Sequence, residues 1–312
     1  MHVRVLGALH VEQDGVDITP SAHKPRQILS LLALNSNRVV PNAGLMEELW
    51  DDNPPRSAVT TLQTYIMQLR KSMAGAMEVP TSVVVKENLI TTPGGYLLRL
   101  PPESIDLHRY ETLDARGRDA LDADDVAEAV RLFDEALRLW HGTALVDVPP
   151  GPLLQREIVR MEEARFGTIE KRIEANLRLN RHSEMLGELR ALCMEHQLHE
   201  SLQAQYMICL HHCGRRDEAL AAFRTLRWSL IKELGLEPSV KLQRLHRAIL
   251  ADDPILHRTP SFFRLPPAHA GTPERAKTPT PVSVNATEKE GGERARGKPS
   301  RRRKAQHRRR RG

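Results

Sequence analysis

The chain has 312 residues, with 46 Lys/Arg, 40 Asp/Glu and a net charge of +6, long enough for two folded domains with cores of their own. Its basic balance is local: residues 254–312 carry 16 Lys/Arg against 4 Asp/Glu, while the 253 residues before them carry 30 against 36. No apolar run approaches the roughly 20 residues that span a bilayer, the opening VRVLGAL is too short for a signal-peptide core, and three cysteines make no paired framework, so a cytoplasmic protein without structural disulfides is expected.

The first hundred residues hold 9 basic and 9 acidic side chains, so any positive surface there must be local. Short β-like runs, VRVLGAL, HVEQ and VDIT, are broken by an Asp14-Gly15 turn and predict a small antiparallel sheet. KPRQILSLLALNSN puts Ile28, Leu31 and Leu32 on one helical face, and VPNAGLMEELW does the same with Leu45, Met46, Leu49 and Trp50. Asn53-Pro54-Pro55 punctuates before a third helix, PPRSAVTTLQTYIMQLRKSM, which stops near Gly75. Val59, Leu62, Ile66, Leu69 and Met73 form its expected apolar stripe. Thr60, Thr61, Thr64, Gln68 and Lys71 fall on its other faces. VVVKENLITT and GYLLRL then predict two strands around Pro93-Gly94-Gly95, whose glycines suit a tight turn.

The third helix and the TTPGGYLL hairpin read together as a recognition helix and a wing. Thr and Gln side chains can read base edges in a major groove, with Arg70 and Lys71 placed to meet phosphates. A solvated surface helix is the alternative reading of the same periodicity.

Pro101-Pro102 closes this unit. From Asp106 to about Ala251 the pattern is helix after helix, with breaks near Asp122, His141 to Pro152, Asn180, Gln197, Gly214 and Gly235 to Pro238. Gly117, Ala129, Phe133 and Ala136 stand 12, 4 and 3 residues apart, the small-residue and aromatic spacing of a tetratricopeptide hairpin, and Ala219 with Phe223 begins a second partial match; an unrelated helical bundle is the alternative reading. From Pro254 the composition turns to Pro, Thr, Arg, Lys and Gly, too poor in apolar side chains to offset its ordering entropy, and ends in RRRK and RRRR. The expected class is mainly α with a small β part: a winged helix-turn-helix over residues 1–101, a tetratricopeptide-like helical domain over 102–253 and a disordered basic tail over 254–312.

Cys209, His212 and Cys213, with Cys193 and His196 one helix away, invite a zinc reading, but no paired CxxC knuckle accompanies them, and cysteines packed between helices are expected instead, with no metal or cofactor. The chain has no GxxxxGK[ST] loop, no GxGxxG after a strand, no GxSxG elbow and no HExxH pair, so no enzyme is expected. No Asp-bearing receiver pattern is read ahead of the winged helix, so phosphorylation control of the response-regulator kind is not expected.

The joint order of NRVVPNAGLMEELW, PPRSAVTTLQTYIMQLRKSM, PGGYLLRL, DLHRYETL, ELRAL, GRRDEALAAF and ELGLEPSVKLQRLHRAIL closing in DDP resembles the Streptomyces antibiotic regulatory proteins. These join an OmpR/PhoB-type winged helix to a bacterial transcriptional activator domain, and the likeness covers roughly residues 3–253. It implies a sequence-specific activator of a secondary-metabolite gene cluster. Such a protein binds direct repeats in double-stranded DNA near a promoter as a homodimer, and engages RNA polymerase holoenzyme with its sigma factor. Carried over by position, Trp50 lies beside the DNA backbone and Arg56 belongs to the contact set. Thr60 and Thr61 face phosphates, Thr64 and Gln68 face bases, Arg70 and Lys71 add backbone contacts, and Thr92 sits where the wing nears the minor groove. Many relatives have Arg where this chain has Gln68, which shifts the expected base from guanine toward adenine. An adaptor whose helical repeats bind a protein, and whose basic tail alone touches nucleic acid nonspecifically, is the competing expectation.

Overall fold

The computed structural model describes residues 1–257; residues 258–312, with both basic clusters and most of the expected tail, lie outside the described residues. The chain opens with an antiparallel sheet of β1 (His2–Arg4), β2 (His10–Gln13) and β3 (Val16–Asp17) in that order. Asp14 and Gly15 both take positive φ, 51° and 84°, as the two-residue turn between β2 and β3 requires. Helix α1 (His23–Leu34) follows, burying Ile28, Leu31 and Leu32 as their spacing predicts.

A short strand, β4 (Val39–Pro41), leads into α2 (Asn42–Trp50) and then α3 (Ala58–Ala76). The wing is therefore a three-stranded sheet, β4-β6-β5, in which β6 (Gly95–Leu98) pairs with both β5 (Leu89–Thr92) and β4. Gly95 is dictated by that pairing, because a Cβ there would stand 2.3 Å from the Val40 carbonyl oxygen. Two expectations are corrected. Val59 is 56% exposed, and Ala58 takes the buried place at the start of α3. The VVVKE run is a helix, α4 (Thr81–Glu87), with strand structure beginning only at Leu89. Pro80, at φ −61°, starts that turn, and burial of Val84 against the core outweighs the β preference of three consecutive valines.

Among the described residues seven further α-helices run from Asp106: α5 (Asp106–Asp122), α6 (Val126–Leu137), α7 (Pro152–Arg178), α8 (His182–Glu195), α9 (Glu200–His212), α10 (Arg216–Leu234) and α11 (Val240–Ala251). Successive helices pack on one another, and the α5–α6 hairpin is close because of Gly117: a Cβ there would meet the Phe133 ring at 2.6 Å. Ala129, Phe133 and Ala136 are fully buried on the facing helix, so the small-and-aromatic spacing marks the crossing it predicts. The first residues of the expected tail are ordered. Pro254–His257 form a 3-10 turn that buries Leu256 against α9 to α11.

Packing is continuous across Pro101-Pro102. One hydrophobic cluster runs from Val3 to Met161, joining the β1–β3 sheet, α1 to α3 and the wing to α5, α6 and the start of α7. Backbone bonds stitch the same boundary: the His141 amide donates to Leu6 O, the Leu145 amide to Val5 O, and Val3 bridges Ile105. Among the described residues no helix is long and apolar enough to cross a membrane.

Candidate DNA-binding surface

Helix α3 is split lengthwise. Leu62, Ile66, Leu69 and Met73 are buried, while Val59, Thr60, Gln63, Thr64, Met67, Gln68, Lys71 and Ser72 are all exposed in consecutive i, i+1, i+4 steps. The outer row is polar and apolar, with Lys71 its one cation. Gln68 makes no hydrogen bond among the described residues, so both ends of its amide face outward unused. Thr64 Oγ1 donates to the Thr60 carbonyl at 2.9 Å, which spends its proton and leaves it an acceptor. Thr61 is half-buried, and its hydroxyl donates to Ser57 Oγ at 3.4 Å near the helix start. Arg56 is exposed in the segment ahead of the helix.

The structure corrects Arg70. It is 6% exposed, donating from Nε and Nη2 to the Leu89 carbonyl at 3.0 and 2.7 Å and from Nη2 to Thr91 Oγ1 at 2.8 Å, with its guanidinium 5.8 Å from the Tyr96 ring centre. Burial pulls its pKa below the ordinary arginine value. Arg70 therefore faces inward and ties the helix to the wing; it is not presented to a phosphate. Thr92 is half-buried, and its Oγ1 is enclosed without a partner beside the Thr92–Gly95 pair, so Pro93 and Gly94 form the exposed tip of the wing. Trp50 is half-buried at the end of α2 and packs against the core, and Lys24 Nζ donates to the adjacent Leu49 carbonyl.

Four side chains on this surface were missed by sequence reasoning: Val59, Gln63, Met67 and Ser72. Gln63 and Met67 stand three residues after Thr60 and Thr64, so the same helical spacing could have found them. Their chemistry suits a groove, since Gln can bond a base edge and an apolar side chain can meet a thymine methyl.

Carboxylates tie the first part of the chain to the later helices. Glu48 on α2 is 2% exposed; its Oε1 accepts the Gly151 amide at 2.6 Å, and its Oε2 accepts those of Leu153 and Leu154 at 2.9 and 3.0 Å. These are the unsatisfied amides at the start of the 27-residue helix α7, so Glu48 caps that helix from another part of the chain. Gly151 has no alternative there, since a Cβ would come within 2.1 Å of the Glu48 carbonyl oxygen. Asp106 likewise accepts the amides of Val5, Leu6 and Leu107; burial raises its carboxyl above the usual range against the pull of those bonds. Asp147 accepts the Leu9 amide at 2.8 Å and pairs with Arg26.

The cysteine and histidine group noted in the sequence is dispersed. Cys193 and Cys209 lie in one apolar cluster between α8 and α9, Cys213 is at the end of α9, His196 packs on Phe166, and His212 stacks on His182 with ring centres 4.0 Å apart. Among the described residues no three His, Cys, Asp or Glu side chains are grouped to hold a metal.

A recognition helix with a wing, fused through a shared core to stacked helices, defines a winged-helix regulator. Residues 16–90 match the family described as transcriptional regulatory protein, C terminal, and residues 105–250 match the bacterial transcriptional activator domain. The chain is 46% identical over 258 residues to the regulatory protein DnrI of Streptomyces peucetius, covering 83% of this chain and 95% of that one. It is 34% identical over 253 residues to the regulatory protein AfsR of Streptomyces coelicolor, covering 81% of this chain and 24% of that longer protein. A solved structure of EmbR from Mycobacterium tuberculosis in complex with a low-affinity phosphopeptide superposes with a TM-score of 0.76 at 29% identity, covering 83% of this chain and 68% of that one. The chain belongs to the Streptomyces antibiotic regulatory protein family. It is a DNA-binding transcriptional activator, not an enzyme.

Proposed function

We propose that the chain activates a secondary-metabolite gene cluster by binding direct repeats near a promoter as a homodimer and engaging RNA polymerase holoenzyme with its sigma factor, in the cytoplasm at the nucleoid. The observation that carries this reading is the outer face of α3, an exposed row of mostly hydrogen-bonding side chains, with Val59 and Met67 among them, on a helix whose opposite face is buried. In the proposed complex Thr64 and Gln68 lie at base edges with Gln63 and Met67 beside them. Thr60, Thr61, Arg56 and Lys71 lie toward phosphates, with Trp50 and the Thr92 wing at the flanks. Repeats one helical turn apart put two such helices on one face of the duplex, so that two copies dock side by side.

The test is hydroxyl-radical footprinting of the full chain on DNA carrying two direct repeats, one repeat, or two repeats offset by half a turn. Two patches of sugar–phosphate protection are expected on the first, a single weaker patch on the second and loss of joint occupancy on the third. Equal binding to all three would contradict it.

A further inference from the structure

The described residues expose 13 large hydrophobic side chains, and six of them, Trp228, Ile231, Leu234, Leu236, Val240 and Leu250, fall on the last turns of α10, the loop after it and α11. Trp228 is 60% exposed, with Lys232 Nζ 4.4 Å from its ring centre. A tryptophan so placed on the surface is the side chain most enriched where protein partners anchor.

The same surface is basic, in a helical body that is not. Residues 101–253 hold 21 Lys/Arg against 27 Asp/Glu, whereas residues 224–250 hold 6 against 2. One of those two acids, Glu237, is bonded by Arg227 at 2.7 Å on both oxygens. Helix α11 contains no acidic residue, and its exposed Lys241, Arg244 and Arg247 make no ion pair among the described residues. The two helices run antiparallel, with the Phe223 ring stacked on His246 at 4.0 Å and Arg216 bonded to the Leu250 carbonyl, so the exposed apolar and cationic side chains belong to one packed helix pair.

We infer that the outer face of α10 and α11 is a docking surface for an acidic amphipathic helix of the transcription machinery. The inference rests on the activator reading above, which requires a protein contact as well as a DNA contact. Charge complementarity selects the partner's sign, and the apolar row selects its kind. A phosphate backbone would engage the cations and leave Trp228, Ile231 and Val240 in water, whereas a helix bearing carboxylates along one edge of an apolar stripe engages both rows.

The test uses the full chain, repeat-bearing promoter DNA and purified RNA polymerase holoenzyme as probe. The variants are Trp228→Ala and the pair Arg244→Glu with Arg247→Glu, with Val159→Ala as an exposed apolar control away from the face. All of these side chains are exposed, so melting temperatures should match wild type. The expected result is unchanged DNA affinity, with assembly of the DNA–activator–polymerase complex and transcript yield reduced about tenfold or more by either change, the size of a hot-spot loss. The charge-reversed pair should also flatten the salt dependence of assembly.

Variants that recruit and activate like wild type would overturn the proposal. Loss of DNA affinity in parallel would reassign the face to DNA. Loss of cooperativity between two repeats without polymerase would reassign it to a second copy of the chain. A wild-type chain that neither recruits polymerase nor activates would sink the activator reading itself, and the docking surface with it.

Discussion

The Glu48 carboxylate accepts the Leu154 amide at 3.0 Å across 106 residues of sequence, and through it the helix beneath the recognition helix caps the longest helix of the activator domain. The DNA-reading part and the helical body are thus joined by a buried, charge-assisted cap within a shared core.

Replacing Glu48 with Gln keeps its volume but removes the charge and half its acceptor capacity, leaving at least one α7 amide buried and unpaired. We expect a loss of about 2–3 kcal/mol in urea unfolding, the cost of a broken buried bond to a charged group. A change within about 0.5 kcal/mol would mean that solvent replaces the cap.

Arg70 and Lys71 are neighbours in sequence and opposites in role. Lys71→Ala should weaken DNA binding and lower the slope of log affinity against log salt by about one, as loss of one phosphate contact does. Arg70→Ala should leave that slope unchanged while costing about 3 kcal/mol of stability, because the Leu89 carbonyl loses its buried charged donor. A salt slope that falls with Arg70→Ala would return that side chain to the DNA.

Gly117→Ala places a methyl group 2.6 Å from the Phe133 ring. The α5–α6 crossing should lose about 1–3 kcal/mol by thermal or denaturant unfolding, as overpacked cores do. Adding Phe133→Leu should recover part of that loss; additive losses would mean the clash is not the cause.

Burial pushes the thiols of Cys193 and Cys209 up to about 12, whereas Cys213 is half-exposed. Maleimide or disulfide reagents at pH 8 should therefore label Cys213 in the native protein and reach the other two only on unfolding. Rapid labelling of three thiols in the native protein would contradict this placement.

The helix breaks at Asp122, Asn180, Gly214 and Gly235 were legible because residues at those points take positive φ or end an apolar period. The Gly117–Phe133 crossing was legible because small and aromatic side chains recur at fixed spacing. Arg70 was misread although it stands four residues after Ile66, on the edge of the buried stripe; its charge argued for exposure, and its acceptor at Leu89 is set by tertiary packing. Val59 failed for the converse reason: it is an apolar residue at apolar spacing, but Ala58 takes the buried place at the start of α3. The valines of α4 read as a strand because local preference cannot see the core that buries Val84. Nothing local connects Glu48 with Gly151, 103 residues away, so the coupling between reading head and helical body was invisible in the sequence. Of the expected contact residues, Thr60, Thr64, Gln68, Lys71 and Arg56 are exposed, Trp50, Thr61 and Thr92 are half-buried, and Arg70 is interior.

Selection of binding sites from random DNA by the wild type and by Gln68→Arg tests most directly whether sequence choice rests on the outer face of α3, as proposed. The account predicts that one base pair in each repeat changes from adenine toward guanine, because Gln pairs with adenine N6 and N7 and Arg with guanine O6 and N7, while the other positions stay as they are. An unchanged preference at every position would contradict it.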